Sequence, residues 1–280
     1  TLHFIRTFDG NKYFKDEDGS CFRAYRFVDN SKAYDTVDSA EVFGKSGKAF
    51  GRFQKYLSDF PAESLSEIIK NFHNTIWRYE NEFIPAVQAD KADRAVNCGE
   101  EIKFVMHRRE DCKKLVELIE KGELPLRVTH NDTKLNNVLF DSDSDDAICV
   151  IDLDTVMPGL ALYDFGDSIR FGANSCAEDD DNYDKVELML DYFEAYAKGF
   201  LSEAGDALNQ CEIDNLAFSA KLMTFECGMR FLTDYLNGDI YFKTAYPEHN
   251  LVRAKNQFAL VADMERKMEQ MQQIIKNITE

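Results

Sequence analysis

Residues 127–158 read RVTHNDTKLNNVLFDSDSDDAICVIDLDTVMP, and the architecture is best understood from this stretch. Short apolar runs predict strands at 127–129, 138–140 and 147–151, and the acidic turn between the last two predicts a β-hairpin. A polar loop, residues 130–137, joins the first strand to the hairpin. Because a hairpin returns the chain to its starting point, the loop and the residues after the hairpin are expected to share one cleft.

The loop and the end of the hairpin carry the residue types that phosphoryl transfer to a hydroxyl group needs. Asp132 can orient the hydroxyl and accept its proton, and Lys134 can neutralise the migrating group. Asn137 and Asp152 supply oxygen atoms of the kind that Mg²⁺ binds. Asp152 follows Asp132 by 20 residues, and two such close carboxylates would repel unless a cation lay between them. An isolated Asp is more often a cap or turn former, so the joint pattern indicates function.

Longer stretches of this sequence resemble one family of small-molecule kinases. VTHNDTK (128–134) and VIDLDTVMPG (150–159) resemble the catalytic loop and metal-binding strand of the aminoglycoside phosphotransferase and choline kinase superfamily. Within that superfamily the sequence looks most like the N-acetylhexosamine 1-kinases. YDFGD (163–167) and RFLTDYL (230–236) add to this resemblance.

The resemblance implies a role for each of the matching residues. Asp132 is implied as the catalytic base, and Asn137 and Asp152 as ligands of Mg²⁺. His130 is implied as a structural member of the catalytic loop. Asp154 is implied either as an occasional metal ligand or as a residue that contacts the metal ligands without binding the metal. The resemblance also implies ATP as the phosphoryl donor.

The order of elements (strands, helices, a small β island, helices) favours an α+β protein. With the resemblance, it predicts a protein-kinase-like two-lobe fold. Residues 1–30 are expected to form a partial N-terminal β-lobe, which is apparently incomplete because no Gly-rich phosphate loop precedes the catalytic loop. Residues 31–280 are expected to form a mostly helical C-terminal lobe with the catalytic β-hairpin. A hinge at Arg26, Phe27 and Val28 is expected to contact ATP.

Apolar periodicity predicts helices over 39–60, around 65–79 and over 100–121, and a mainly helical chain after Pro158. The final helix carries an apolar face that we expect to dock on the core. The letters Asp164-Phe165-Gly166 match a protein-kinase metal motif, but Asp152 has the better spacing from the catalytic loop. Asp164 is therefore expected to brace the following segment.

The substrate site is less clearly marked. Arg230 lies in an apolar helical stretch, where a charged group needs a partner. That partner is either Asp234 at i+4 or the hydroxyl groups of a sugar in the cleft. Tyr235 either stacks on the sugar or packs in the core. By resemblance the preferred acceptor is an N-acetylhexosamine at its anomeric hydroxyl, but choline, an amino alcohol or an antibiotic stays open, as does a non-catalytic binding module.

Composition excludes several classes of partner. The formal net charge of −18 repels phosphate backbones and anionic lipids, so neither nucleic acid nor membrane is expected as a partner. Uninterrupted apolar runs are far shorter than the ~20 residues of a membrane span. The seven cysteines include no C-x-x-C pair, which indicates reduced thiols and a cytoplasmic location. The sequence does not indicate an oligomeric state.

Overall fold

The computed structural model describes residues 2–36 and 39–280. The N-terminal part consists of four two-residue strands: β1 (Phe4–Ile5), β2 (Phe14–Lys15), β3 (Cys21–Phe22) and β4 (Ala24–Tyr25). β1 pairs with β4 and β2 with β3, both antiparallel. Gly19 adopts a left-handed φ of 87° in the turn between β2 and β3, a conformation that glycine adopts without steric cost.

Five further strands surround the polar loop at 130–137. They are β5 (Ser31–Lys32), β6 (Arg127–Thr129), β7 (Val138–Asp141), β8 (Ala147–Val150) and β9 (Met157–Gly159). β5, β7 and β8 form one antiparallel sheet, and β6 pairs with β9. The strands predicted at 127–129, 138–140 and 147–151 are therefore confirmed. The pairing of β5 with β7 also joins the end of the N-terminal part to the hairpin.

The remainder is helical. The α-helices are α1 (Ala40–Tyr56), α2 (Thr75–Arg78), α3 (Ile84–Ala89), α4 (Gly99–Met106), α5 (Arg109–Glu120), α6 (Ala161–Gly172), α7 (Leu190–Ala204), α8 (Gln210–Asp214), α9 (Leu216–Asn237) and α10 (His249–Thr279). Among the described residues, no helix is both long enough and apolar enough to cross a membrane.

One predicted helix is wrong, and another is divided. Of the residues around 65–79, only Thr75–Arg78 form an α-helix, which continues through a π-helical turn at Tyr79–Phe83. Asn71 has a left-handed φ of 56°, and the Asn74 side chain accepts a hydrogen bond from Trp77 N at 3.0 Å. Asn71 thus interrupts any helix before α2, and Asn74 begins a new one. The stretch 100–121 forms α4 and α5 with a break between them.

The hydrophobic core lies among α1, α6, α7, α9 and α10. Helix α9 is buried on nearly all its faces, as its apolar sequence indicates. The terminal helix α10 docks on this core, as predicted, through Val261, Met264, Met271 and Ile275. The contact between α1 and α7 is especially close, because small residues of α1 face the α7 backbone.

Replacing Gly47 of α1 by alanine is expected to destabilise the protein. A Cβ atom at this position would lie 2.5 Å from the carbonyl oxygen of Tyr196 in α7, so the two helices would have to separate. We expect the free energy of unfolding to fall by about 1–3 kcal/mol, measured by urea denaturation. Gly205→Ala is the matched control, because nothing lies within 4 Å of its added Cβ. Equal stability of the two variants would contradict this description of the α1–α7 contact.

Candidate functional site

The predicted catalytic loop, residues 130–137, follows β6 and contains a residue with a left-handed backbone. Asn131 has a φ of 64°, a conformation that Gly, Asn and Asp tolerate best. Its Nδ2 donates hydrogen bonds to the carbonyl oxygens of Thr129 at 3.1 Å and Thr155 at 2.9 Å. Asn131 thus satisfies the backbone requirement of this turn and adds two hydrogen bonds across it.

The carboxylate of Asp164, on α6, holds the start of the loop. It is fully buried, and it accepts hydrogen bonds from the backbone N–H groups of His130 at 2.9 Å and Asn131 at 2.8 Å. Gln54 donates a third bond, at 2.8 Å. Burial raises the pKa of Asp164, although these hydrogen bonds act in the opposite direction. Asp164 therefore braces the loop at 130–137, which precedes it in the chain, and not the following segment as the sequence predicted.

Asp167 and Ser168, also on α6, hold the middle of the loop. Asp167 Oδ2 accepts a hydrogen bond from Thr133 N at 3.0 Å, and Ser168 Oγ donates to Thr133 O at 2.8 Å. The Thr133 hydroxyl donates to the carbonyl of Asp164 at 2.6 Å. Sequence reasoning assigned no role to Asp167. The available signal was its i+3 spacing from Asp164, which places both carboxylates on one side of α6.

Three predicted site residues meet at the centre of the loop. Lys134 Nζ lies 2.9 Å from Asp132 Oδ1, and Asn137 Nδ2 donates to Asp132 Oδ2 at 3.0 Å and to Asp132 O at 2.7 Å. Burial acts to lower the pKa of Lys134, but the charge of Asp132 and its hydrogen bond outweigh burial, so the pKa is raised. Lys134 thus stays cationic beside a partly exposed carboxylate.

His130 is fully buried and has a structural position. Its Nδ1 accepts a hydrogen bond from Asp132 N at 3.3 Å, so we infer that Nε2 carries the proton and donates to Ile151 O at 2.8 Å. The rings of Phe50 and Phe53 lie against it in edge-on geometry. The imidazole therefore ties the backbone of Asp132 to the end of β8.

The hairpin brings Asp152 beside Asn137, because Val138 pairs with Val150 and Ile151 N donates to Asn137 O at 2.9 Å. Asp152 is exposed, has a left-handed φ of 57°, and forms no hydrogen bond or ion pair within the described residues.

The oxygen atoms of Asn137 and Asp152 are of the kind that Mg²⁺ binds. Asn137 uses its Nδ2 on Asp132, which leaves its Oδ1 available as a neutral ligand, and Asp152 follows directly after Ile151, whose N–H bonds to Asn137 O. Mg²⁺ takes few protein ligands and keeps water or phosphate oxygens. Over residues 2–36 and 39–280, no three His, Cys, Asp or Glu side chains gather into a metal site. Asp154 forms an ion pair with Arg23 of the N-terminal strands, so its carboxylate is engaged there.

The predicted hinge residues precede β5. Arg26 N donates to His3 O at 2.9 Å, which extends the β1–β4 pairing. The Val28 carbonyl accepts a hydrogen bond from Ser31 Oγ at 2.6 Å. The ring of Phe27 is exposed. The segment therefore connects the two parts of the molecule, and its contact with ATP stays a prediction.

A cleft of about 400 Å³ lies in front of Asp132. Its acidic residues are Asp132, Asp167, Glu178 and Glu226, and its basic residues are Lys134, Arg170, Arg230, Lys243 and Arg253. Arg170 pairs with both Asp167 and Glu178. Within the described residues, Arg230 and Lys243 have no ion-pair partner.

Of the three predicted substrate residues, Arg230 lines this cleft and the other two do not. The guanidinium of Arg230 lies over the rings of Phe72, Tyr241 and Phe242, 5.1–5.8 Å from their centroids. The alternative ion pair with Asp234 is not formed.

Asp234 and Tyr235 have other contacts. The carboxylate of Asp234 accepts hydrogen bonds from three backbone N–H groups, at Ile240, Tyr241 and Phe242. It therefore fixes the segment that follows α9, including two of the rings under Arg230. Tyr235 is buried with Arg94 over its ring, at 4.6 Å from the centroid.

Comparison with solved structures finds the same fold in three kinases. A microcompartment-associated aminopropanol kinase is similar with a TM-score of 0.61 and 16% identity, over 97% of this chain and 76% of that chain. The choline kinase of Cryptosporidium parvum Iowa II gives 0.57 and 14%, over 95% and 75%. A spectinomycin phosphotransferase in complex with ADP and spectinomycin gives 0.55 and 14%, over 96% and 77%. The kinase-like fold is therefore confirmed.

The sequence itself also matches a family. Residues 8–199 match the family model described as the phosphotransferase enzyme family, APH. This range contains the catalytic loop, the hairpin and the bracing helix α6, and it covers more than half of the chain. The chain belongs to the phosphotransferase enzyme family.

Proposed function

We propose that this protein transfers the γ-phosphoryl group of ATP, in the presence of Mg²⁺, to a hydroxyl group of a sugar. The observation that carries the proposal is the carboxylate of Asp132, fixed between Lys134 and Asn137 and facing a cleft that admits a small molecule. The hinge at Arg26, Phe27 and Val28 is proposed to contact the nucleotide.

The chemistry of the proposed step is a single displacement. The acceptor oxygen forms a bond to the γ-phosphorus as the bond between that phosphorus and the leaving oxygen of ADP breaks, and the hydroxyl proton passes to Asp132. Lys134 neutralises charge on the migrating group. Mg²⁺, held by Asn137 and Asp152, would supply charge neutralisation at the remaining phosphate oxygens.

Charge in the cleft favours a neutral acceptor over a cationic one. Arg230 and Lys243 are cations without ion-pair partners within the described residues, and a substrate ammonium group near them would be repelled. Sugar hydroxyl and acetamide oxygens can instead accept hydrogen bonds from Arg230. Together with the resemblance to N-acetylhexosamine 1-kinases, this supports an N-acetylhexosamine phosphorylated at its anomeric hydroxyl.

Asp132→Asn is expected to lower kcat by about 10²–10⁴-fold, because the amide cannot accept the hydroxyl proton. The measurement is ADP release with Mg-ATP and a panel of N-acetylhexosamines, hexoses, choline, aminopropanol and spectinomycin. Asp59→Asn, at an exposed position that forms no ion pair within residues 2–36 and 39–280, is the control. Equal turnover by wild type and Asp132→Asn would refute the role of Asp132, and binding of an acceptor without any turnover would instead indicate a binding module.

Asp152→Asn is expected to raise the Mg²⁺ concentration for half-maximal activity by about tenfold or more, because an amide is a weaker ligand than a carboxylate. Activity is measured while free Mg²⁺ is varied. Asp154→Asn is compared in the same titration, and a smaller shift is expected because Asp154 is engaged by Arg23. A larger shift for Asp154 than for Asp152 would reassign the metal ligand.

Arg230→Gln separates the two classes of acceptor. For a neutral sugar, the variant is expected to raise the acceptor KM about tenfold by removing a charged hydrogen-bond donor, while the KM for ATP stays unchanged. For choline or another cationic acceptor, removing the positive charge would lower the acceptor KM instead. That second result would overturn the sugar assignment and leave the phosphotransferase proposal intact.

A further inference from the structure

A buried polar cluster lies at the floor of the acceptor cleft and takes no part in the proposed transfer step. His73 Nδ1 lies 2.8 Å from Glu226 Oε1, and the Thr75 hydroxyl donates to Glu226 Oε2 at 2.5 Å. The three residues are 8%, 1% and 1% exposed, respectively. Buried ionisable groups need a structural or functional reason, because removing them from water is unfavourable.

The hydrogen bonds of this cluster fix which atom of His73 carries a hydrogen. Burial acts to raise the pKa of Glu226, but the charge of His73 and its hydrogen bond, the charge of Arg78 and the hydrogen bond of Thr75 outweigh burial, so the pKa is lowered. Glu226 is therefore an ionised acceptor at both oxygens. His73 Nδ1 must then carry the hydrogen that it shares with Glu226, and Nε2 is left for another partner.

Within the described residues, Nε2 of His73 is buried and has no hydrogen-bond partner. Most buried polar atoms have one, and an unsatisfied atom indicates a missing ligand or water. His73 lines the acceptor cleft together with Asp132, and it also lines an adjoining cleft of about 350 Å³. The half-buried ring of Phe72 lies beside it, with 4.3 Å between ring centroids, and lines both clefts.

We propose that Nε2 of His73 forms a hydrogen bond with a hydroxyl group of the sugar acceptor. This inference rests on the proposed function, because it places a second polar contact in the same cleft. A hydroxyl group can donate or accept, so it satisfies Nε2 whether or not the imidazole is protonated. Glu226 and Thr75 then act as positioning residues that hold the ring in one orientation.

Two substitutions of His73 separate this contact from the packing role of the ring. In His73→Asn, the amide group stands near the Nδ1 position, so it can still donate to Glu226 while the atom facing the sugar is removed. In His73→Gln, the amide group stands near the Nε2 position and can restore the contact.

We expect His73→Asn to raise the acceptor KM about tenfold, with an unchanged KM for ATP, and His73→Gln to recover part of the loss. His107→Asn, at an exposed position outside both clefts, is the matched control, and thermal unfolding checks that each variant is folded.

A series of monodeoxy N-acetylhexosamines makes the test specific. With the wild type, one analogue is expected to lose about tenfold in kcat/KM, and with His73→Asn the same analogue should lose nothing further, because the contact is already absent. Equal losses for every analogue in both proteins would overturn the inference. If His73→Asn does not fold, kcat/KM for the same analogues is compared between His73→Gln and the wild type. If the wild type loses no activity with any of the analogues, the inference is overturned.

The same experiment distinguishes this failure from failure of the proposed function. If the wild type turns over a sugar but the losses with the analogues do not depend on His73, only the proposed His73 contact is rejected. Absence of turnover with every sugar, including the parent N-acetylhexosamines, removes the sugar-kinase proposal and this inference with it.

Discussion

The carboxylate of Asp164 is the interaction on which the active region depends. A single buried side chain on α6 accepts hydrogen bonds from two consecutive backbone N–H groups, at His130 and Asn131. These groups belong to a loop that changes direction through a left-handed residue, and such a turn cannot satisfy its own N–H groups by regular pairing. Asp164 supplies the acceptors that a neighbouring strand would otherwise provide. It therefore fixes the backbone immediately before Asp132.

Helix α6 extends this support from the loop to the acceptor cleft. Asp167, one turn after Asp164, accepts a hydrogen bond from the Thr133 backbone and also pairs with Arg170. Arg170 in turn pairs with Glu178, 2.6 Å away, at the edge of the cleft. Because Asp167 and Arg170 are buried, the loss of one would leave an uncompensated charge on the other. The catalytic loop and the cleft are therefore held by one connected set of charges.

The strands and the loop at 127–151 were predictable from sequence because most of their contacts are local. The β6–β9 and β7–β8 pairings, the loop and the hairpin turn lie within 127–159, so periodicity and turn residues contain most of the information. The stretch 65–74 was not predictable in the same way. Its apolar residues have helical spacing, yet Ile68 is exposed, and Asn71 is left-handed with its N–H bonded to the Glu67 side chain at 2.7 Å, which apolar spacing does not reveal. The letters Asp164-Phe165-Gly166 show the opposite case. They match a metal-binding motif, but Asp164 holds the loop by hydrogen bonds, and the other two residues serve packing. Phe165 is in the core, and Gly166 allows α6 to approach Ser219 of α9, whose carbonyl a Cβ would meet at 2.5 Å.

Total charge and local charge lead to different expectations for the acceptor. The net charge of −18 favours cations near the surface, but exposed charges are screened beyond about 8–10 Å at physiological salt. Inside a cleft, the nearest charges dominate, and here the acidic Asp167 and Glu178 are already paired with Arg170, and Glu178 also with Arg253. Arg230 and Lys243 remain without such partners among the described residues. Arg230 is held by the faces of three aromatic rings, an arrangement that fixes a guanidinium in place and leaves its N–H groups available. A molecule that enters this cleft therefore meets unpaired donors, and oxygen-rich neutral compounds are better suited to them than ammonium compounds are.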